Sequence, residues 1–464
     1  MADPTFLAAF ETLAATVKLA HIAWQTFRAD HKTEPAPVPR SEEEFRFVRR
    51  LQRQNRRHFA LLAYSLPRHA AGRAHFVKSP LLCRDDWIPK EPVLLGKPDE
   101  ELNDDSNQLV TTGPYRAAGL ILNRLGDSEL FLNASRDLLP RAPKGTDEYR
   151  SLSDAIRAVE KPNSDLFVSR PSYALSKVSG KAPFRLRFEK AEYFDYINCG
   201  EFLAYETIRE AVRVPEFGNS DHQQYLKAFD ERLTLRESVG EWNAISFRPS
   251  LAGVNVLTIF VDRQAGAATF PMMHRSRTGS AAGTFHVIPA GEFQPTTNSP
   301  VAWRKHCTLW QTVLREFSEE LLLDDEAKSG GLDMRALAAR DRMAPLLQLI
   351  RAGDWKTYYL GMGLDPLTLK PELLLVSVID LWRFIDALSP LPQMKRLPEQ
   401  NSEGEICGGP LGWGEVFNSA NLSRYRDDPI TLPAASGCIE LLQRHLAHFP
   451  DLHSSQIVGF RDSQ

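Results

Sequence analysis

Residues 314–321 read Leu-Arg-Glu-Phe-Ser-Glu-Glu-Leu and form the centre of a helix predicted at about 305–323. One face of this helix is an apolar stripe of the kind that packs on a core, made of Trp310, Val313, Leu314, Phe317 and Leu321. The opposite face carries Glu316, Glu319 and Glu320, whose i, i+3 and i+4 spacing makes their carboxylates neighbours. The stretch therefore predicts a helix that is buried on one side and acidic on the other.

The acidic face has two interpretations. Like charges within one turn destabilise a helix by about 0.2–0.5 kcal/mol per pair. The first interpretation is a solvated surface on which Arg315 and Glu319 form an i,i+4 ion pair. A divalent cation would turn this repulsion into attraction, because Mg²⁺ is bound by one or two carboxylates together with substrate phosphates. The stretch alone leaves the solvated face and the metal site open.

The segments around this helix have the pattern of an α/β domain. Runs of β-branched and apolar residues predict strands at 254–262, 268–274, 284–288, 357–361 and 373–378. A short helix at 381–388 and an amphipathic helix at 433–448 follow them. We therefore expect residues 245–450 to form one domain in which helices pack on a sheet.

The segment before the acidic helix adds a second motif. Residues 285–293 read Phe-His-Val-Ile-Pro-Ala-Gly-Glu-Phe, so a strand ends in Pro-Ala-Gly shortly before Arg-Glu-Phe-Ser-Glu-Glu. This combination resembles the Nudix family, whose signature runs from a Gly through a Glu to Arg-Glu-apolar-x-Glu-Glu-x-Gly. The helical half of the signature matches from Arg315 through Glu320.

The sequence departs from the signature at three places. The interval from Gly291 to Arg315 is longer than in the family pattern, which implies an insertion in the loop before the helix. Cys307 stands where the first Glu of the signature is expected, and Leu322 replaces the Gly after the glutamate pair. The motif is therefore a divergent Nudix box with an insertion, in which the three glutamates of the helix are intact.

The resemblance implies a Nudix-like α/β/α sandwich and the Mg²⁺-dependent (or Mn²⁺-dependent) hydrolysis of a nucleoside diphosphate linked to another group. The implied catalytic and metal-binding residues are Glu316, Glu319 and Glu320. One of these glutamates would assist proton removal from the attacking water, which the metal makes more nucleophilic. Arg315 would orient the glutamates, and Gly291 would have a structural role.

Two arginines are candidates for contact with the substrate. Arg275 and Arg277 follow a strand end that is similar to the strand preceding the box in the family, and either could bind a phosphate. An exposed arginine is more often only solvated. The divergent box also leaves an alternative function open, in which a catalytically altered Nudix-like domain serves as a nucleotide-binding sensor or regulatory protein.

The region before the α/β domain carries less chemical information. Apolar residues at helical spacing predict an N-terminal helix within residues 1–33, followed by a Pro-rich linker. Residues 41–240 begin with a helix at about 41–65 and predict a mixed, helix-rich α/β domain of unknown role. The wide apolar arc of the N-terminal helix makes it a candidate contact for a homo-oligomer.

The segment from Arg46 to Arg57 contains six arginines. On a helix they could form a stripe that contacts phosphates, either of a nucleic acid or of a nucleotide. The same segment contains Phe47 and Leu51, so an amphipathic helix whose arginine stems cover an apolar contact explains the pattern equally well. Nucleic acid is therefore a weak candidate partner.

The composition narrows the class of protein. The 56 Lys and Arg residues nearly balance the 59 Asp and Glu residues, so no field of the whole protein favours a nucleic-acid or membrane partner. The five cysteines include no CxxC pair, which argues against a zinc knuckle and a dense disulfide framework. No apolar run approaches the roughly 20 residues that cross a bilayer. We therefore expect a cytoplasmic protein without a membrane partner. The resemblance implies that its partner is a nucleotide-type small molecule.

Overall fold

The structure is a computed structural model, and it describes most of the chain between residues 40 and 452. The described residues are 40–73, 75–98, 109–112, 128–163, 167–180, 184–213, 222–275, 283–295, 303, 307–322, 343–388 and 413–452. The predicted N-terminal helix at 1–33 lies outside these ranges, and so does Arg277. The described chain contains both helices and strands, which confirms the mixed α/β class.

Strands occur in both the N-terminal and the C-terminal region. Those of the described residues are β1 (Val93–Leu94), β2 (Val110–Thr112), β3 (Pro171–Ser179), β4 (Arg185–Glu192), β5 (Gly253–Asp262), β6 (Ala267–Phe270), β7 (Met272–His274), β8 (Phe285–Val287), β9 (Ala290–Glu292), β10 (Trp355–Leu364), β11 (Pro371–Asp380) and β12 (Glu415–Val416). Seven of them form one sheet in the order β1-β10-β11-β5-β6-β12, with β9 also paired to β5.

The centre of this sheet is the pair β5 and β11. These two strands run parallel, with Gly253 opposite Glu372, whereas the other neighbours in the sheet run antiparallel. Both strands are buried along almost their whole length. A strand that is covered on both faces needs a nearly continuous apolar run, which is the composition that the sequence has here.

The helices are short to medium in length. Those of the described residues are α1 (Glu42–Gln54), α2 (Arg56–Ser65), α3 (Glu129–Leu138), α4 (Leu152–Val159), α5 (Tyr193–Tyr196), α6 (Phe202–Arg213), α7 (His222–Asp230), α8 (Thr234–Ser238), α9 (Leu309–Glu320), α10 (Met343–Ala352), α11 (Leu381–Leu388), α12 (Ser419–Asp427) and α13 (Pro433–Arg444). None of these helices is long and apolar enough to cross a membrane.

Helical segments cover both faces of the seven-stranded sheet. Trp355 of β10 packs against Trp310 and Phe317 of α9, at ring-centroid distances of 5.9 and 4.7 Å. Three positions further along β10, Tyr358 contacts Phe449 in the segment that follows α13. Because successive side chains of a strand point to opposite faces, α9 and the segment after α13 lie on opposite sides of the sheet.

The N-terminal region is built onto the same sheet. Its strand β1 pairs with β10, and Tyr173 of β3 donates its backbone N–H to the carbonyl oxygen of Phe293 at 3.0 Å. The buried guanidinium of Arg236 donates to the backbone oxygens of Pro366 and Leu367, at 2.9 and 2.5 Å. The predicted regions 41–240 and 245–450 therefore share sheet and core contacts.

Most predicted elements of the C-terminal region occur close to their expected bounds. The strand predicted at 268–274 is divided at Pro271 into β6 and β7, because proline has no N–H for the ladder. The helix predicted at 41–65 is divided at Asn55, whose φ of -128° is not helical. The chain therefore changes direction between α1 and α2, and this position lies next to a cavity.

Candidate functional site

Helix α9 holds the three glutamates of the box and is well defined by its sequence. Its N-cap is Thr308, whose hydroxyl oxygen accepts a hydrogen bond from the backbone N–H of Gln311 at 3.2 Å. Trp310 and Phe317 on its apolar face are almost fully buried in the core. The helix is therefore fixed by its cap and its packing before any charged residue contributes.

The acidic face of α9 is not a solvated surface. Glu316 and Glu320 are each 9% exposed, because this face packs against β9. Glu320 accepts a hydrogen bond from the backbone N–H of Ala290 at 3.1 Å. A Cβ atom added to Gly291 would lie 2.0 Å from an Oε atom of Glu316, so only glycine allows the strand and the helix to approach this closely.

Arg315 contacts both neighbouring carboxylates and the strand. Its guanidinium lies 2.6 Å from Glu316 and 3.8 Å from Glu319, and it donates to the backbone oxygen of Glu292 at 3.2 Å. Arg315, Glu316 and Glu320 thus connect the helix to β9. Across the described ranges, no three His, Cys, Asp or Glu side chains are grouped so that they could hold a metal ion. A Mg²⁺ or Mn²⁺ ion held by these glutamates would have to replace the contact of Glu316 with Arg315 and the hydrogen bond of Glu320 with Ala290.

A cavity of about 480 Å³ lies beside β9, between the N-terminal helices and the sheet. One side, which we name the arginine wall, consists of Arg49, Gln52, Arg53, Arg56, Glu160 and Glu201. The other side, named the sheet wall, consists of Arg275, His286, Gly291, Glu292, Asp365, Lys370 and Glu372. The rings of Phe167, Tyr193 and Tyr196 also line the cavity. Both regions of the chain therefore contribute to one site.

The arginine wall is a ladder of alternating charges. Arg49 and Arg53 contact the same carboxylate, that of Glu160, at 2.8 and 3.1 Å. Arg56 lies 3.0 Å from Glu201, and Arg49 lies 3.9 Å from the same residue. Burial disfavours the charged form of Glu201, but Arg56 and Arg49 outweigh it and lower the pKa of this carboxyl. Glu201 is therefore ionised at neutral pH.

Tyr196 connects the two walls. Its hydroxyl donates to Glu201 at 2.9 Å, and the ammonium group of Lys370 lies 5.6 Å from the centre of its ring. Lys370 also contacts Glu292 at 2.5 Å. Burial lowers the pKa of Lys370, but the carboxylates of Glu292 and Glu372 outweigh this effect and raise it. Lys370 is therefore a fixed positive charge of the sheet wall.

The pKa of Glu372 is shifted in the opposite direction from that of Glu201. Burial raises its pKa to about 7, although Lys370 and a hydrogen bond from Asn255 act in the opposite direction. The Asn255 amide donates to Glu372 at 2.9 Å, and a Cβ on Gly253 would lie 2.2 Å from the same carboxylate. The carboxyl group is thus held over the backbone of β5 and exchanges its proton near neutral pH.

His286 adds no positive charge to the sheet wall at neutral pH. Burial lowers the pKa of its imidazole well below the ordinary value, and the nearby Arg275 and Lys370 lower it further. Its Nδ1 atom accepts a hydrogen bond from the backbone N–H of Val287 at 3.0 Å. The imidazole therefore contributes a neutral polar surface to the cavity.

The predicted site residues fall into two groups. Arg275 and Gly291 line the cavity, whereas Arg315, Glu316, Glu319 and Glu320 lie behind β9 and Arg277 lies outside the described residues. Gly291 links the groups, since it lines the cavity and contacts Glu316.

Sequence reasoning missed the aromatic residues, Lys370 and Glu372, because nothing in their local pattern marks them. The arginines of the cavity were visible as part of the segment from Arg46 to Arg57. The structure divides that segment, because Arg46 and Arg50 are exposed whereas Arg49, Arg53 and Arg56 line the cavity. Neither protein-family models nor curated proteins match the sequence.

Proposed function

We propose that the protein binds a nucleotide-type small molecule in the cavity and acts as a sensor or regulatory protein. The observation that carries this proposal is one cavity lined by arginines and aromatic rings from two regions of the chain. Its volume of about 480 Å³ lies within the roughly 300–1,000 Å³ that small-molecule sites occupy. A ligand that contacts both walls would bind only the folded protein and would stabilise the arrangement in which the two regions meet.

The chemistry of the lining supports a nucleotide over a purely apolar ligand. The rings of Phe167, Tyr193 and Tyr196 offer faces on which a base could stack. Guanidinium groups bind phosphate oxygens through two parallel hydrogen bonds, and Arg49, Arg53 and Arg56 are grouped on one side of the cavity. The cavity thus offers stacking surfaces and phosphate donors.

Hydrolysis of a nucleoside diphosphate linked to another group is the second candidate function. The position of Gly291 favours it, because this residue lies in the cavity wall and in contact with Glu316 of the box. The sensor is favoured because Glu316 and Glu320 are engaged with Arg315 and with the backbone of β9. The two functions differ in turnover, which can be measured directly.

The binding experiment titrates the full chain with ADP, ADP-ribose and a nucleotide sugar in a calorimeter. We expect at least one of them to bind, and we expect Tyr193→Ala to weaken this binding by about tenfold, since base–aromatic stacking contributes about 1–3 kcal/mol. Tyr149→Ala is the matched control, because Tyr149 lies outside the cavity, where its hydroxyl contacts Glu42 at 3.4 Å. Absence of binding by all three compounds would overturn the proposal.

The turnover experiment incubates the same compounds with Mg²⁺ or Mn²⁺ and measures the release of phosphate-containing products. The sensor predicts binding without product. Product formation that Glu316→Gln abolishes would instead establish the hydrolase. Turnover that survives Glu316→Gln unchanged would exclude the mechanism implied by the box.

A further inference from the structure

The arginine wall has one more positive than negative group. Within the wall, Arg49, Arg53 and Arg56 contact two carboxylates, Glu160 and Glu201, and Asp365 of the sheet wall acts on Arg56 at longer range. Each carboxylate lies within 4 Å of two guanidinium groups, so neither fully neutralises its neighbours. The positive surplus therefore lies on the arginine side of the cavity, whereas the sheet wall carries Arg275 and Lys370 against Glu292, Asp365 and Glu372.

Low exposure separates Arg49 and Arg56 from ordinary surface residues, whereas Arg53 is 42% exposed at the edge of the wall. The side chains of Arg49 and Arg56 are each only 12% exposed, and what remains accessible borders the cavity. Arg46 on the same helix is 47% exposed and forms an ordinary i,i+4 pair with Glu42. Guanidinium groups that are largely removed from water interact more strongly with an anion than exposed ones, because the local dielectric constant is lower.

We propose that the arginine wall is a phosphate-binding subsite in which Arg49, Arg53 and Arg56 contact the ligand's phosphate groups in exchange for Glu160 and Glu201. This inference rests on the proposed function, since it names the part of the ligand that the N-terminal region binds. A phosphate offers several acceptor oxygens and satisfies guanidinium donors that a single carboxylate shares between two arginines. The proposed subsite gives the region 41–240 a direct role in ligand binding.

The exchange gives the subsite a property that a purely structural ladder would lack. A phosphate that approaches Arg49 and Arg53 meets the carboxylate of Glu160, which contacts both of them. The carboxylate competes with the phosphate for the same donors and repels its charge. Neutralising it with Glu160→Gln therefore strengthens phosphate binding, whereas a ladder that only holds the helices together would bind no more tightly.

The test titrates the full chain with ADP, adenosine and inorganic pyrophosphate. We expect ADP to bind more tightly than adenosine, and we expect Arg53→Ala to weaken ADP binding by about tenfold or more while adenosine binding is unchanged. Arg53 is suited to substitution because its side chain is 42% exposed, and circular dichroism checks the fold of the variant. Arg50→Ala is the matched control on the same helix, outside the cavity. Glu160→Gln is expected to tighten ADP binding by about threefold.

The three probes separate the subsite from the proposed function. If ADP and adenosine bind with equal affinity and Arg53→Ala does not alter it, the phosphate subsite is overturned, but the proposed nucleotide site is not. If pyrophosphate binds and Arg53→Ala removes this binding, while neither ADP nor adenosine binds, the phosphate subsite is supported and the proposal of a nucleotide ligand is overturned. Weaker ADP binding by Glu160→Gln would overturn the exchange, and absence of binding by every probe would overturn both proposals.

Discussion

Glu372 shows how a single residue can set the charge of the cavity. Its carboxyl lies beside Asn255 and above Gly253, both of which belong to β5. The charged groups around it are Lys370, Glu292 and Asp365, and the thiol of Cys438 on α13 remains protonated because burial raises its pKa. Since its pKa is raised to about 7, Glu372 is neutral below this pH and negative above it.

The protonation of Glu372 predicts a pH dependence of anion binding. Below pH 7 the neutral carboxyl leaves the cavity more positive, so the affinity for ADP-ribose, whose diphosphate keeps its charge in this interval, should fall by about three- to tenfold between pH 6 and pH 8. In Glu372→Gln the affinity should remain high and lose this dependence. His286 does not explain the change, because its pKa lies well below this interval. Calorimetric titrations at both pH values measure it, and identical profiles of the two proteins would contradict the prediction.

At the scale of the element, α13 is anchored to the N-terminal region by one carboxylate. Glu440 is 8% exposed and accepts hydrogen bonds from the backbone N–H groups of Val77, Lys78 and Ser79, at 2.7, 3.1 and 2.8 Å. These donors belong to a segment that precedes β1 and has no other regular structure. The carboxylate thus accepts from three backbone groups, of which that of Ser79 is buried and those of Val77 and Lys78 are partly buried.

Removing this anchor should lower the free energy of unfolding substantially. We expect Glu440→Ala to cost about 2 kcal/mol, because the buried donor of Ser79 left without a partner costs about 1–3 kcal/mol and the two partly buried donors cost less. Glu415→Ala is the control: its partner Arg424 is 54% exposed, and such a surface pair contributes about 1 kcal/mol at most. Urea unfolding of both variants measures the difference, and equal losses would show that the three hydrogen bonds contribute little.

The elements show which parts of the structure could be predicted from sequence. The strands β5 and β11 and the helix α11 were predicted closely, because local composition and periodicity determine them. The ladder of Arg49 with Glu160 could not be predicted, since its partners lie far apart in the chain and meet only through the tertiary fold. The box motif located a helix with three neighbouring acids, but its pattern did not reveal that two of them are buried against β9.

At the scale of the whole molecule, the two predicted regions are too closely joined to behave independently. β1 extends the sheet of the C-terminal region, and Arg236 contacts the segment between β10 and β11. One continuous group of buried apolar side chains runs through both regions. The cavity lies where they meet, so its shape depends on their remaining together.

We therefore expect the described regions to unfold as one cooperative unit. Scanning calorimetry should show a single transition whose calorimetric and van't Hoff enthalpies agree. A fragment that begins at Ala244 lacks β1 and the Glu440 contacts, and it should show no such transition. Two separate transitions in the full chain, one of them retained by the fragment, would contradict this expectation.

The parallel pairing of β5 with β11 also constrains how fast the chain can fold. Gly253 of β5 lies opposite Glu372 of β11, and about 120 residues separate them. A loop of this length must close before the first contact between the two strands forms. Pairings this distant in sequence slow folding, whereas the hydrogen bonds within α1 or α13 form on a far shorter timescale. During synthesis the sheet cannot close until β11 has left the ribosome, and until then the apolar strand β5 has no partner on that side. The order of the strands thus places the cavity among the last features of the molecule to form.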